Sequence, residues 1–429
     1  MKNRSGCLSS LLVIGPFVCL FILMSSRAYA VTYRAYSFTG GTEGNFPIWA
    51  GSLIRDSKGN FYGTTFEGGE HGGGTVFEIS VSDAGPKYTV LYSFPGAEGD
   101  GSQPDSGLVF DSSGNLYGTT VQGGTRNYGT VYELSPDSNG TWTEEVLYSF
   151  QGLPGDGSYP TFPLVIDALG TLYGTTSDGG SAGFGTVFTL SRSGNTWSKN
   201  IIYSFSGPDG DEPNGVTLDA VGNVYGTTLY GGTDEVGTVF ELTQRAGIWT
   251  ESMLYSFTYN GNGRADGAFP IGGVTLDTAG NLYGTTNYGG SGTACPPGSC
   301  GAVYELKNAN GMWTETILYS FLGGEDGSLP YAGVTLDAAG NLYGTTAFGG
   351  GGSCSIGLIP GCGTVFRLHK SGTRWLESLF RFNGANGANP QAGVILDEKG
   401  DVFGTTLYGG TGSCQGALPG CGVAFELTP

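Results

Sequence analysis

The sequence predicts an all-β protein, a seven-bladed β-propeller with four antiparallel strands per blade. Three observations carry this. The tetrapeptide Tyr-Gly-Thr-Thr starts at Tyr62, Tyr117, Tyr173, Tyr225, Tyr283 and Tyr343, with a seventh copy at Phe403, at intervals of 52 to 60 residues. Repeats of such a period mean solenoids, propellers or arrays. Each repeat holds four apolar runs that read as strands. Finally, the chain stops on a run of the third type, Gly422-Val-Ala-Phe-Glu-Leu427, while Tyr33-Arg-Ala-Tyr-Ser-Phe38 near its start is of the fourth type.

The four runs are named a to d. Run a resembles Gly273-Val-Thr-Leu-Asp277 and run b resembles Asn281-Leu-Tyr-Gly-Thr-Thr286. Run c resembles Gly237-Thr-Val-Phe-Glu-Leu242, and run d resembles Val146-Leu-Tyr-Ser-Phe150. The a–b link is mostly Asp-x-x-Gly-Asn, as at Asp111–Asn115 and Asp337–Asn341. Asp opens the turn and Gly takes its left-handed position, so a and b form a tight hairpin. That accounts for Asp56, Asp111, Asp167, Asp219, Asp277, Asp337 and Asp397 as turn residues. Runs c and d are continuous rather than alternating, as expected of blades buried on both faces. The glycine inside run b marks the close approach of a neighbouring backbone or ring. The last repeat lacks a d run and the first residues supply one. That closes the ring and leaves no open edge, whereas a solenoid would need polar capping repeats.

Composition agrees. Glycine supplies 81 of 429 residues, while aromatics and charged residues each make up 13%. The aromatics exclude a disordered linker, the irregular glycine spacing excludes collagen, and the glycine load disfavours helices.

Lys2 and Arg4, the apolar run Leu8–Met24 and Ala28-Tyr29-Ala30 have the order of a secretory signal peptide. Cleavage is expected near Ala30, leaving residues 31–429 as one exported propeller, secreted, periplasmic or at the cell surface, and monomeric. No later segment is apolar enough to span a membrane. Beyond residue 30 there are 15 basic and 37 acidic residues, net −22, which disfavours nucleic-acid binding. Six cysteines remain there, in the close pairs Cys295/Cys300, Cys354/Cys362 and Cys414/Cys421. An even count in an exported chain reads as disulfides, simplest within each pair.

The Gly-Asn-Leu-Tyr-Gly-Thr-Thr-like cores, the Gly-Gly pairs and the Gly-Thr-Val-Phe-Glu-Leu runs together resemble the bacterial GloVer tandem-repeat family of exported proteins. Kelch-type propellers are a more distant resemblance. The family resemblance implies export and repeats but no particular activity. Some members carry a further C-terminal anchor, which is not expected here.

The b–c and d–a loops should open on one face. The b–c loops vary most, and those of repeats five to seven are enlarged and hold the cysteine pairs. Just before their Gly-Gly pairs stand Tyr230, Tyr288, Phe348 and Tyr408, where repeats one to three have Glu67, Gln122 and Asp178. Exposed aromatics there could present flat faces to a sugar or peptide. The d–a loops share an acidic-or-Asn, Gly, x, x, Pro pattern starting at Glu43, Asp100, Asp156, Asp209, Asp266, Asp326 and Asn386. The pattern fits a turn; alternatively, such carboxylates, Asp266 and Asp326 foremost, could ring the channel mouth and hold Ca²⁺. Trp142, Trp197, Trp249, Trp313 and Trp375, at the start of run d, are expected to cover the outer rim of the opposite face.

Most enzyme readings fail at the residue level. His71 falls in a b–c loop and His369 in a c–d turn, on opposite faces, so neither a triad nor a copper site can form. A sialidase would need clustered arginines, yet only Arg126 and Arg264 fall in binding-face loops. The expected function is therefore an exported, non-catalytic module that binds a glycan or a protein through its loop face. The alternatives are a glycosidase or polysaccharide lyase using two carboxyls, and a structural envelope protein.

Overall fold

The computed structural model describes residues 32–47, 52–82, 85–97, 99–258, 266–295, 298–414 and 416–429. The expected signal peptide falls outside them. Residues 31–429 form one unit, in which seven antiparallel sheets stand in a ring, each ordered a, b, c, d. Among the described residues no helix is long and apolar enough to cross a membrane.

Blade 5 is representative, with a at Thr275–Leu276, b at Leu282–Thr286, c at Ala302–Ala309 and d at Met312–Ser320. Strand a is shorter than the sequence suggests. Glycines near the start of strand a pack closely across blades: a Cβ on Gly273 would lie 2.7 Å from Gly215 O, and one on Gly333 the same distance from Gly273 O. Blade 4 keeps a long strand a, Asp211–Leu218, with a register shift between Pro213 and Val216. The ring closes as predicted: strand d of blade 7 is Thr32–Ser37, paired with Val423–Thr428 from Thr32–Thr428 to Ser37–Val423.

Each part of Tyr-Gly-Thr-Thr has a physical task. The Tyr283 hydroxyl donates to Glu305 on strand c (2.7 Å) and to the turn residue Asp277 (3.2 Å). Gly284 lies under the Tyr304 ring, which leaves no room for a Cβ. Thr285 donates to Ala332 O of blade 6 at 2.7 Å, tying neighbouring blades. The second threonine faces strand c, as in the 2.8 Å Thr65–Thr75 hydroxyl pair of blade 1. The a–b aspartates are turn residues as expected: Asp277 Oδ1 accepts from Ala279 N and Asn281 N.

The hydrophobic core is distributed over the seams between blades. Seam 1–2, for example, packs Tyr62, Val76 and Phe94 against Leu116, Tyr132 and Leu134. Trp142 of blade 2 reaches back over Tyr62 of blade 1 (6.5 Å), and Trp197 of blade 3 over Tyr117 of blade 2 (6.0 Å). The tryptophans thus cover seams. The cysteines pair within their loops: Cys295–Cys300, Cys354–Cys362 and Cys414–Cys421.

Candidate functional site

The residue before proline in every d–a loop has a left-handed backbone. Phe46, Gln103, Tyr159, Glu212, Phe269, Leu329 and Asn389 all have φ between 51° and 58°. This conformation costs a non-glycine residue about 1–2 kcal/mol, so something must hold it. For six of the seven, a carbonyl of the preceding blade does so. Gln103 N donates to Gly73 O, Tyr159 N to Tyr128 O and Phe269 N to Val236 O, at 2.8–3.0 Å. In the blades that follow the enlarged loops, the acceptor is the second cysteine of a disulfide. Leu329 N donates to Cys300 O, Asn389 N to Cys362 O and Phe46 N to Cys421 O. Sequence reading missed this ring of seven. Its signal was present: one position fixed in place by Gly-x-x-Pro yet different in residue type in nearly every repeat.

The side chains of this ring meet those before the Gly-Gly pairs. Phe269 stands edge-on to Tyr230 (5.6 Å) and Tyr288 (5.8 Å), and Phe46 packs on Tyr408 (5.4 Å). Tyr230 is 39% exposed. Phe348 differs from the expectation of an exposed ring. It is buried against Leu329 and Ala347, with Ile356 and Ile359 of the enlarged loop packed over them, because that loop folds back on its own blade. The aromatic surface therefore centres on Tyr230, Phe269 and Tyr288 in blades 4 and 5.

Acidic groups adjoin it. Burial, then Glu212 and Asp211, raises the Tyr230 phenol above its ordinary pKa. Burial, with Asp211 and Asp178, raises the Glu212 carboxyl, and burial with Asp178 raises that of Asp211. This patch can accept hydrogen bonds from hydroxyl groups beside an aromatic wall.

The d–a aspartates correct the expectation of a free carboxylate ring for Ca²⁺. Asp326 accepts from Tyr319 OH (3.2 Å), Leu322 N (2.9 Å) and Gly327 N (2.8 Å). Asp266 likewise accepts from Tyr255 OH, Thr258 N and Gly267 N. Their lone pairs are committed to the loop and to strand d. Among the described residues, no three Asp, Glu, His or Cys groups converge as a metal site would require.

Each of these aspartates also approaches strand d of the next blade. In four seams the group opposite is a second carboxyl: Glu144, Glu251, Glu315 and Glu377 each have a buried Oε1 without a hydrogen-bond partner. Burial, with the loop aspartate beside it, pushes Glu144, Glu315 and Glu377 up to about 8 and Glu251 to about 7. In the remaining Asp seam Lys199 takes the place of glutamate and forms an ion pair with Asp156. Burial raises the Asp156 carboxyl, but hydrogen bonds from Lys199 and Gln151 N outweigh it and hold the group low.

His369 lies within strand c, Thr364–Ser371, rather than in the following turn. His71 is exposed in its b–c loop. Arg264 lies outside the described residues.

Structural likeness supports the fold alone. A protein from Lactobacillus plantarum superposes with a TM-score of 0.50 at 12% identity, over 86% of this chain and 99% of that one. The extracellular domain of a B. thetaiotaomicron protein described as a hybrid two-component system gives 0.49 at 11% identity, over 93% of this chain. This chain spans 41% of that chain's length. A Bacteroides uniformis protein described as a candidate 6-phosphogluconolactonase gives 0.47 at 14% identity, over 82% of this chain and 88% of that one. No curated protein matches the chain in sequence. The family model for the Gloeobacter/Verrucomicrobia repeat, by contrast, matches residues 22–165 and 138–357, which carry six of the seven Tyr-Gly-Thr-Thr cores. The chain therefore belongs to the Gloeobacter/Verrucomicrobia repeat family.

Proposed function

We propose that this protein is an exported, non-catalytic binding module that takes a glycan on the loop face of blades 3 to 5. One observation carries the reading: Tyr230, Phe269 and Tyr288 form an aromatic wall beside Asp178, Asp211 and Glu212. Aromatic faces suit the C–H face of a sugar ring, and carboxyl groups accept from its hydroxyls. The three intraloop disulfides support passage through an oxidising compartment, as export to the periplasm or cell exterior provides.

A glycan array with the purified protein tests the reading. Tyr230→Ala and Tyr288→Ala should each weaken the best binder about tenfold, roughly 1.4 kcal/mol, with an unchanged far-UV circular dichroism spectrum. An array without binders removes the proposal.

A second reading rests on the raised Asp211 and Glu212 carboxyls. A carboxyl whose pKa is raised is better suited to serve as a general acid in a carbohydrate-active enzyme. Release of reducing ends or unsaturated sugars, abolished in Glu212→Gln, would establish it.

A further inference from the structure

We infer that the seam between blades 7 and 1 holds a binding site for a small planar aromatic molecule with one N–H donor, of the size and kind of indole. A cavity of about 380 Å³ opens there, away from the loop-face residues discussed above. Leu53, Phe61, Ile79, Phe403 and Ala424 line it, each buried, with Pro86 at its side. Cavities of this volume and lining hold small ligands.

The repeat itself shows what fits. Trp142, Trp197, Trp249, Trp313 and Trp375 occupy one register position on strand d, opposite Pro136, Arg192, Gln244, Asn308 and Lys370 of strand c. Each packs at its seam with the strand-b tyrosine of the preceding blade: Tyr62, Tyr117, Tyr173, Tyr225 or Tyr283. In blade 1 that position, opposite Val81, is Pro86. Among the described residues, strand d of blade 1 therefore places no indole at the seam facing blade 7.

Two further truncations fall on the same seam. Ala35 stands where strand d otherwise has Leu91, Leu147, Ile202, Leu254, Leu318 or Leu379. Ala424 stands where strand c has Val76, Val131, Val187, Val239, Val303 or Val365. Three large-to-small replacements thus converge on one cavity, whose other walls are apolar apart from Tyr36 and the cross-strand pair Arg34 and Glu426. Seam 6–7 differs, since Arg367 lies over the Tyr343 ring at 5.7 Å.

The donor requirement comes from Glu426. Its counterparts Glu78, Glu241 and Glu305 accept a hydrogen bond from the strand-b tyrosine. In blade 7 that tyrosine is Phe403, which has no hydroxyl to give. Glu426 lines the cavity, so a ligand N–H reaching it would restore the missing bond.

Titration of the purified protein with indole, followed by calorimetry and by ligand-observed NMR, tests this. Indole should bind in the micromolar to low-millimolar range. Pro86→Trp and Ala35→Leu fill the cavity from opposite blades, and each should weaken indole at least tenfold while raising Tm. Tyr230→Ala should leave indole binding unchanged, which separates this site from the loop face. Glu426→Gln should weaken indole several-fold but leave naphthalene, which has no N–H, unaffected. No binding of indole up to 5–10 times the low-millimolar range, or equal binding to the wild type and both filled variants, overturns the site. If Pro86→Trp misfolds, Ala35→Leu decides alone. Equal loss of indole and naphthalene in Glu426→Gln overturns the donor requirement.

Discussion

At the residue scale, the protein places strained or tightly packed groups at repeated positions. Gly284 must stay small because a Cβ would meet the Tyr304 hydroxyl at 2.4 Å and the ring carbon beside it at 2.6 Å. Gly284→Ala should lower unfolding free energy by about 1–3 kcal/mol, the usual cost of overpacking, as measured by chemical denaturation. Phe269 presents the reverse case. Its φ of 56° suits glycine better than phenylalanine. In Phe269→Gly, relief of about 1–2 kcal/mol of strain should offset much of the lost packing. Tm should therefore move little while glycan binding falls. A large drop in Tm would mean that Phe269 serves the fold more than the face.

At the element scale, the seams and enlarged loops make opposite demands on conditions. Glu144, Glu251, Glu315 and Glu377 are pushed up in the folded state, to between about 7 and about 8. A folded pKa above the unfolded one means that the native state keeps its proton longer. That stabilisation is complete below the ordinary glutamate range and is lost as pH rises through 7 to 8. Tm should thus fall between pH 5 and pH 9, and changing these four residues to Gln should flatten the profile. Asp156 is held low and acts in the opposite sense, losing its contribution as pH falls. The disulfides act on other elements. Each short loop they close contributes about 2–3 kcal/mol in the chain-entropy model. Their second cysteines also supply the carbonyls that hold Leu329, Asn389 and Phe46. Reduction should speed amide exchange at those three residues and leave Gln103, Tyr159 and Phe269 protected.

At the scale of the whole molecule, closure depends on six residues, Thr32–Ser37, paired along their length with Val423–Thr428. Removing them would leave an unpaired strand edge on blade 7, which templates aggregation. A chain lacking residues 32–38 should lose much of its thermal stability and elute as aggregates in size-exclusion chromatography. Closure has a second consequence: the truncations at Ala35, Pro86 and Ala424 meet where the two ends of the chain join.

Blade number, strand order, closure by the first strand and the disulfide pairs were legible in the sequence. Each depends on local chemistry repeated at a fixed period: turn aspartates, strand glycines, neighbouring cysteines. The loop-face site was legible only in part. Tyr230 and Tyr288 lie at its wall as expected, but the burial of Phe348 depends on how the blade 6 loop folds back, through contacts distant in sequence from the motif. The commitment of Asp266 and Asp326 to tyrosines on strand d was hidden for the same reason. The ring of left-handed residues left only an indirect mark, a variable position held in place before proline, and the seam carboxyl pairs left none, because each forms between adjacent blades. The repeat thus determines what a blade is. Only the tertiary structure decides what two blades do to each other, since burial, strain and raised carboxyls arise where side chains some 50 residues apart share one seam.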